Sequence, residues 1–272
     1  MHPEVSFIIP YFNSGTTIME TLDSIWIQSY TNYDVWIVND GSTDINSIEI
    51  LKTLEGNPRI KLLDQENLGP SIARNNAIQQ TKSEFIVPLD ADDLILPNAL
   101  ETAMQVMMKD PKIGVVYGNF QSFGEVNEVK IQSEFSIQQQ LLWNQIAACC
   151  LIRKSVFDTS GYYDPYLSKL GLEDWELWIR MYKSGFGFQK IEELFFAYRI
   201  NSNSRTFVEA NQRLEEIKQY VYKKHSTLIM EQYTALYYQF KMQSELREYR
   251  IGNFILRPFR FLKSCINLNP DS

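Results

Sequence analysis

A chain of 272 residues, 44% of them hydrophobic, is long enough for one large α/β domain, or for a domain with an appended helical piece, and can bury a sizeable core. Its 26 Lys and Arg against 33 Asp and Glu leave a formal charge of −7, without the basic field that draws nucleic-acid phosphates, which argues against nucleic acid as a partner. Cys149, Cys150 and Cys265 have no metal-ligand spacing and two are adjacent, which argues against a disulfide framework and for small buried hydrophobes in a reducing cytosol.

Met1-His2-Pro3-Glu4 leads straight into a strand-like segment without the regions of a signal peptide, and no run approaches the length of a membrane span. A soluble or peripheral cytoplasmic protein is expected. Residues 5–10 read as a buried strand, and Ile18, Leu22 and Ile25 recur at helical spacing after it, with Thr17 and Glu20 forming a capping box. Residues 34–38 read as a second strand and 60–63 as a weaker third, followed by a helix over 70–80. The run Phe85-Ile86-Val87-Pro88-Leu89 is a further strand, and Pro97 stands at the first turn of a helix over 98–109. Strands alternating with helices predict a mostly parallel sheet flanked by helices, with ligands outside the carboxyl ends of the strands.

Three of those strand ends carry polar signatures: Pro10-Tyr11-Phe12-Asn13, Asn39-Asp40-Gly41-Ser42-Thr43-Asp44, and the acidic tip Asp90-Ala91-Asp92-Asp93. Strand alternation would project Asp90 and Asp92 to the same side, where paired carboxylates suit a hard divalent cation that also touches a diphosphate; the alternative is a polar turn leading to the helix at Pro97. Asp40 can accept a hydrogen bond from the imide N–H of a pyrimidine, or serve as a turn residue, and the backbone near Pro10 can hold the ribose or base. In the segment 67–75, Gly69 opens a helix and Arg74 lies one turn in, placed to reach a diphosphate or to sit on a solvated helix face. Further on, Glu173-Asp174 begins a helix that also carries Trp175 and Trp178. The two carboxylates complement the helix dipole or deprotonate an incoming hydroxyl; the tryptophans pack in the core, or one faces a sugar ring.

Taken in order, these five motifs resemble the inverting family 2 glycosyltransferases of the GT-A fold, over about residues 5–204. The resemblance implies a sugar transferred from a nucleotide-diphosphate donor, a UDP-sugar, to a hydroxyl of a glycan or lipid-linked glycan, as in surface polysaccharide biosynthesis. It places Pro10, Tyr11, Asn13, Asp40, Gly69, Arg74, Asp90 and Ala91 around the nucleotide, Asp92 on Mn²⁺ or Mg²⁺, and Asp174 as catalytic base. Glu173, Trp175 and Tyr162, the last in the stretch 157–164 that also matches the family, would border the acceptor. A GT-A catalytic domain over 1–204 follows, with a nucleotide-sugar-binding half at 1–110 and an acceptor-binding half at 111–204.

The chain departs from the family where Tyr198-Arg199-Ile200-Asn201 has Asn in place of a usual His. Asn201 can offer a carbonyl oxygen to the metal but cannot titrate. Ala77 likewise replaces a usual Gly. A non-catalytic nucleotide-sugar-binding relative is the alternative. The remainder, 205–272, reads as a C-terminal helical extension. Leu214, Ile217 and Val221 form one stripe and Ile229, Tyr233, Leu236 and Phe240 another, suited to folding back or to pairing in a homodimer. Basic and aromatic residues interleaved over 251–263 can touch an anionic membrane surface peripherally.

Overall fold

The structure, a computed structural model, describes residues 4–201 and 212–244. The chain forms two compact units, Met1–Val221 and Tyr222–Ser272. The expected boundary at residue 204 falls outside the described residues.

The first unit begins as alternating strands and helices: β1 (Val5–Tyr11), α1 (Ile18–Trp26), β2 (Tyr33–Asp40), α2 (Ile45–Leu54), β3 (Ile60–Gln65), α3 (Pro70–Gln80), β4 (Phe85–Pro88), β5 (Leu94–Ile95) and α4 (Ala99–Met107). It continues through β6 (Ile113–Gly124), β7 (Val129–Lys130), α5 (Ile137–Gln140), β8 (Leu151–Arg153), α6 (Ser155–Ser160), a 3₁₀ helix at Pro165–Lys169, α7 (Glu173–Lys183) and β9 (Gly187–Ile200), and ends within α8 (Leu214–Lys224). The strands join in the order β3-β2-β1-β4-β8-β6-β9-β5, with β7 beside β6. β3-β2-β1-β4 is one parallel block and β6-β9 a second parallel pair; β8 runs antiparallel to both β4 and β6, joining the two, and β5 runs antiparallel to β9. The sheet is therefore mixed, its long ladders parallel as expected and its short ones antiparallel.

Strand alternation builds the core on both faces of the sheet. Val5, Phe7, Ile9 and Tyr11 of β1, with Phe85 and Val87 of β4, pack with Ile18, Leu22 and Ile25 of α1 and Leu100, Met104 and Met107 of α4. Ile8 and Ile86 point the other way, to Ala73, Ala77 and Ile78 of α3 and Leu177, Trp178 and Met181 of α7. From β1 the chain moves to β2 and β3 on one side and returns to β4 on the other, so a crevice opens beyond the carboxyl ends of β1 and β4.

Three local expectations fail for identifiable reasons. Thr17 makes no side-chain cap; its hydroxyl donates to Ala91 O at 2.8 Å, and Glu20 pairs with Arg199 instead of reaching back. Pro97 lies before the helix, because Asn98 adopts a left-handed conformation (φ 62°) as the N-cap of α4. The acidic tip is not a strand continuation: the Asp93 N–H donates to Asp90 O at 3.1 Å, closing a turn through Ala91 and Asp92, so strand alternation does not govern where its carboxylates point.

Of the C-terminal stripes, Ile217 and Val221 of α8 are buried. In the second unit, residues 226–244 are helical, and Tyr233, Leu236 and Phe240 are exposed. The aromatic and basic stretch 251–263 and Cys265 lie outside the described residues. No helix among the described residues is long and apolar enough to cross a membrane.

Candidate active site

The end of β1 is tied to the end of β2. Asn13, in a left-handed conformation (φ 50°), accepts hydrogen bonds on Oδ1 from the N–H groups of Thr43 and Asp44 at 2.8 and 2.9 Å. Asp44 in turn caps α2, accepting from the Ser47 N–H at 2.8 Å. Tyr11 is buried, and its hydroxyl donates to Ser47 O at 2.9 Å. Its side chain thus braces the crevice floor, which leaves Pro10 and the main chain of the β1 end as the part that can face a nucleotide.

Asp40 closes β2, and its carboxylate is largely used by its own chain. Oδ1 accepts from Gln65 Nε2 at 2.7 Å and from the Leu68 N–H at 2.8 Å, while Oδ2 accepts from the Gly69 N–H at 2.9 Å. Three of about four lone-pair sites are occupied, so one position on Oδ2 remains for a base. Gly41 permits the approach: at φ 72°, a Cβ there would stand 2.8 Å from Asn67 N. Gly69, at φ 92°, is the N-cap of α3 with Pro70 at its first turn, and the 3₁₀ helix packs against it.

Arg74, one turn into α3, is buried and spans the crevice. Its Nη2 donates to Asp90 Oδ1 at 2.5 Å and its Nη1 to Glu173 Oε1 at 2.6 Å, with the Tyr163 ring 5.3 Å from the guanidinium carbon. Burial works against its charge, but the two carboxylates outweigh it and hold the guanidinium more firmly protonated than usual. Arg74 was expected to reach toward a diphosphate. In the structure it is instead a strut between the acidic tip and the Glu-Asp pair, because both hands of its planar fork are engaged.

At the tip, Ala91 is buried and its carbonyl holds Thr17. Burial and the neighbouring Asp90 carboxylate push Asp92 up to about 6, and burial with the Asp90 and Asp92 carboxylates pushes the buried Asp93 well above the ordinary range. Arg199, from the end of β9, answers this charge: its N–H donates to Asp93 Oδ1 at 2.9 Å and its Nε to Asp92 O at 2.9 Å. Among the described residues no group of three or more His, Cys, Asp and Glu forms a ready metal cage. Crowded carboxylates that resist ionisation are nonetheless the donor set a hard cation relieves. Mg²⁺ and its like commonly take one or two carboxylates together with substrate phosphates, so the residues fit a cation that arrives with a diphosphate. Asn201 is exposed, two residues beyond Arg199.

Opposite the tip, Gly171 (φ 95°) and Leu172 (φ 55°) turn the chain sharply into α7, whose first residues are Glu173 and Asp174. Asp174 Oδ1 accepts from the Trp175 N–H at 2.9 Å and Oδ2 from Asn144 Nδ2 at 2.8 Å. Burial, then the Glu173 carboxylate, push Asp174 up to about 7. That suits a group that must take a proton near neutrality. Trp175 is buried and its indole N–H donates to Gln140 O at 2.5 Å, so it packs in the core and presents no face to an acceptor. Tyr162 is half-buried, stacked on Phe157 with ring centroids 5.8 Å apart. Asn144, Gln140, Tyr163 and Arg199 also belong to the site. Arg199 and Tyr163 stood in segments singled out by their sequence; Asn144 and Gln140 carry no motif, because loop and tertiary contacts alone bring them in.

The family model described as Glycosyl transferase family 2 matches residues 6–162. The Escherichia coli UDP-Glc:alpha-D-GlcNAc-diphosphoundecaprenol beta-1,3-glucosyltransferase WfgD is 29% identical over 187 residues, which are 66% of this chain and 70% of that protein. An uncharacterized glycosyltransferase of Escherichia coli K12, YibD, is 39% identical over 108 residues, 39% of this chain, and the match spans only 31% of its length. Among solved structures, the Staphylococcus aureus TarS fragment 1-349 in complex with UDP-GlcNAc superposes with a TM-score of 0.65 at 19% identity, over 75% of this chain and 61% of that one.

Proposed function

The chain belongs to glycosyl transferase family 2, and from that premise we propose that it moves a sugar, with inversion, from a UDP-sugar to a hydroxyl of a glycan or lipid-linked glycan acceptor in surface polysaccharide synthesis. The observation that carries the proposal is the Arg74 bridge, which joins Asp90 to Glu173 and so sets the acidic tip and the Asp174 carboxylate in one crevice. The donor and acceptor classes draw support from WfgD, whose name specifies a UDP-sugar and a lipid diphosphate-linked acceptor, and from TarS, which holds UDP-GlcNAc.

In this proposal Asp40 Oδ2 and the main chain near Pro10 hold the base and ribose, with Asn13 and Gly69 shaping the loops around them. Asp92, beside Asp90 and Asp93, is the group that would hold Mn²⁺ or Mg²⁺, with Asn201, two residues beyond Arg199, as the candidate for a further oxygen ligand. When bound, the cation supplies positive charge against the developing charge of the departing diphosphate. Asp174 takes the proton of the acceptor hydroxyl as that oxygen bonds to the anomeric carbon, and the bond from that carbon to the diphosphate oxygen breaks, its electron pair leaving with the nucleotide. Attack from the face opposite the leaving group inverts the centre, so an α-linked donor gives a β-glycoside.

The test combines binding and turnover. UDP should bind with Mn²⁺ present and weaken on EDTA treatment, and Asp92→Asn should cost about tenfold or more by calorimetry through loss of a charged ligand. UDP release from a UDP-sugar should require acceptor. Equal UDP affinity with and without EDTA removes the metal from the proposal; UDP release indifferent to every acceptor offered, with tight donor binding, favours a binding protein over a transferase.

A further inference from the structure

Asp174 owes its setting to a segment that no motif marks. Between β7 and β8 the chain forms α5 and a loop through residue 146, and Gln145 closes this loop on itself, its Nε2 donating to Ser136 O at 2.7 Å. The fully buried Gln140 fastens it to α7: Gln140 Nε2 donates to Trp175 O at 3.2 Å, and Trp175 Nε1 donates back to Gln140 O at 2.5 Å.

The polarity of this chain of amides is fixed at its ends by main-chain groups that can play one part only. The Gln145 N–H must donate, and does so to Gln140 Oε1 at 3.0 Å, so the other end of that amide is its nitrogen. Gln140 Nε2 therefore donates to Trp175 O and, at 3.3 Å, to Asn144 Oδ1. Asn144 is then obliged to present its Nδ2, which donates to Asp174 Oδ2 at 2.8 Å. A flipped Asn144 would set its carbonyl oxygen against the carboxylate and its NH₂ against the Gln140 donor, which costs two hydrogen bonds at once.

We propose that Asn144, oriented by Gln140, is the positioning residue of the catalytic base: it locks the rotation of the Asp174 carboxylate and favours its ionised form with a neutral donor. The inference rests on the assignment of Asp174 as base. The groups that face Asp174 from the packed elements are Glu173 on its own helix, Arg74 on α3, Cys150 before β8 and Tyr163 before the 3₁₀ helix. Among these, Arg74 favours the charged carboxylate but is already shared between Asp90 and Glu173. Asn144 is a donor from outside the helix whose hydrogen bond reaches Asp174 directly. A cation in its place would hold Asp174 ionised but too weakly basic to take a proton; an amide keeps it ionisable near neutrality.

The experiment follows two readouts in the full-length protein. One is the ¹³C carboxyl titration of Asp174, assigned by its loss in Asp174→Asn and measured without donor or acceptor. The other is the acid limb of kcat/KM against pH. In Asn144→Leu both should move up by about one pH unit, the worth of one hydrogen bond to a charged group. Asn144→Asp, which keeps the shape of the residue, should raise the titration further and split it into two coupled steps. Gln140→Met, which frees Asn144 to flip, should move both in the same direction by less. If Asp174→Asn is inactive while Asn144→Leu and Asn144→Asp, folded by near-UV circular dichroism, leave both the titration and the limb unmoved, the inference falls alone. If Asp174→Asn turns over normally, the base assignment falls and the inference with it.

Discussion

The side chains of the site divide into those that hold and those that react. Arg74 holds. Its two partners differ in exposure, Asp90 at 40% and Glu173 at 9%, so removing the cation leaves one carboxylate able to find water and one that cannot. Arg74→Met should therefore destabilise the fold by about 3–5 kcal/mol, the usual cost of stranding a buried charge, and Glu173→Gln should recover much of that loss in the double variant. Urea unfolding of the two single variants and the double variant checks this; additive losses would mean that the strut is not a unit. Asp174 reacts. Asp174→Asn should lower kcat by roughly 10²-fold or more with little change in donor affinity, since the group acts in the transition state, whereas Glu173→Gln should do less to turnover. Turnover of the wild type should rise with pH through about 7, as Asp174 gives up its proton. Near-normal turnover by Asp174→Asn with abolished turnover by Glu173→Gln would transfer the role of base to Glu173.

Among the elements, one glycine turn decides whether the crevice forms, and a second serves as its control. Gly69 opens α3 at φ 92°, and a Cβ there would stand 2.5 Å from Ser168 Oγ and 2.7 Å from Ser168 O. Its N–H also donates to Asp40, so the same residue joins the end of β2, the start of α3 and the 3₁₀ helix. Gly69→Ala combines backbone strain with a contact against main chain that cannot swing away, and should cost roughly 2 kcal/mol or more while weakening nucleotide binding. Gly56 also has positive φ, at 81°, but nothing lies within 4 Å of its missing Cβ, so Gly56→Ala should pay the strain alone. Comparing the two variants by thermal unfolding separates close packing from conformation. Equal losses would deny Gly69 its part in packing.

For the molecule as a whole, the raised Asp174 titration makes the candidate active site a stability cost. A carboxyl whose folded value lies near 7, well above its unfolded value near 4, keeps its proton in the folded state where the unfolded chain has already lost it. Folding then becomes less favourable as pH rises between those two values, and above 7 the full cost of the buried charge remains. Wild type should lose stability relative to Asp174→Asn by about 1–3 kcal/mol between pH 5 and pH 8, read as a widening gap in Tm. A gap that stays constant with pH would mean that Asp174 titrates as an ordinary surface carboxyl.

The strands ending at Tyr11, Asp40 and Pro88, the helix at Pro70–Gln80 and the Glu-Asp helix start were legible in the chain, because burial on both faces of a sheet and the start of a helix leave local patterns of apolar run, glycine and carboxylate. So was the family, since its motifs are short and ordered. The partners of those motifs were not legible. Thr17 and Glu20 have the spacing of a capping box, yet they bond to Ala91 and Arg199, which lie far along the chain. Asp90 and Asp92 have strand spacing but sit in a turn, and Trp175 has the look of a sugar platform but is used by Gln140. Asn144 has no local signature at all, because its role exists only where a loop folds across α7 onto Asp174. Residue type and period are properties of neighbouring residues, whereas hydrogen-bond partners and the ionisation of a buried carboxyl depend on groups separated by tens of residues. Those are settled when the sheet closes.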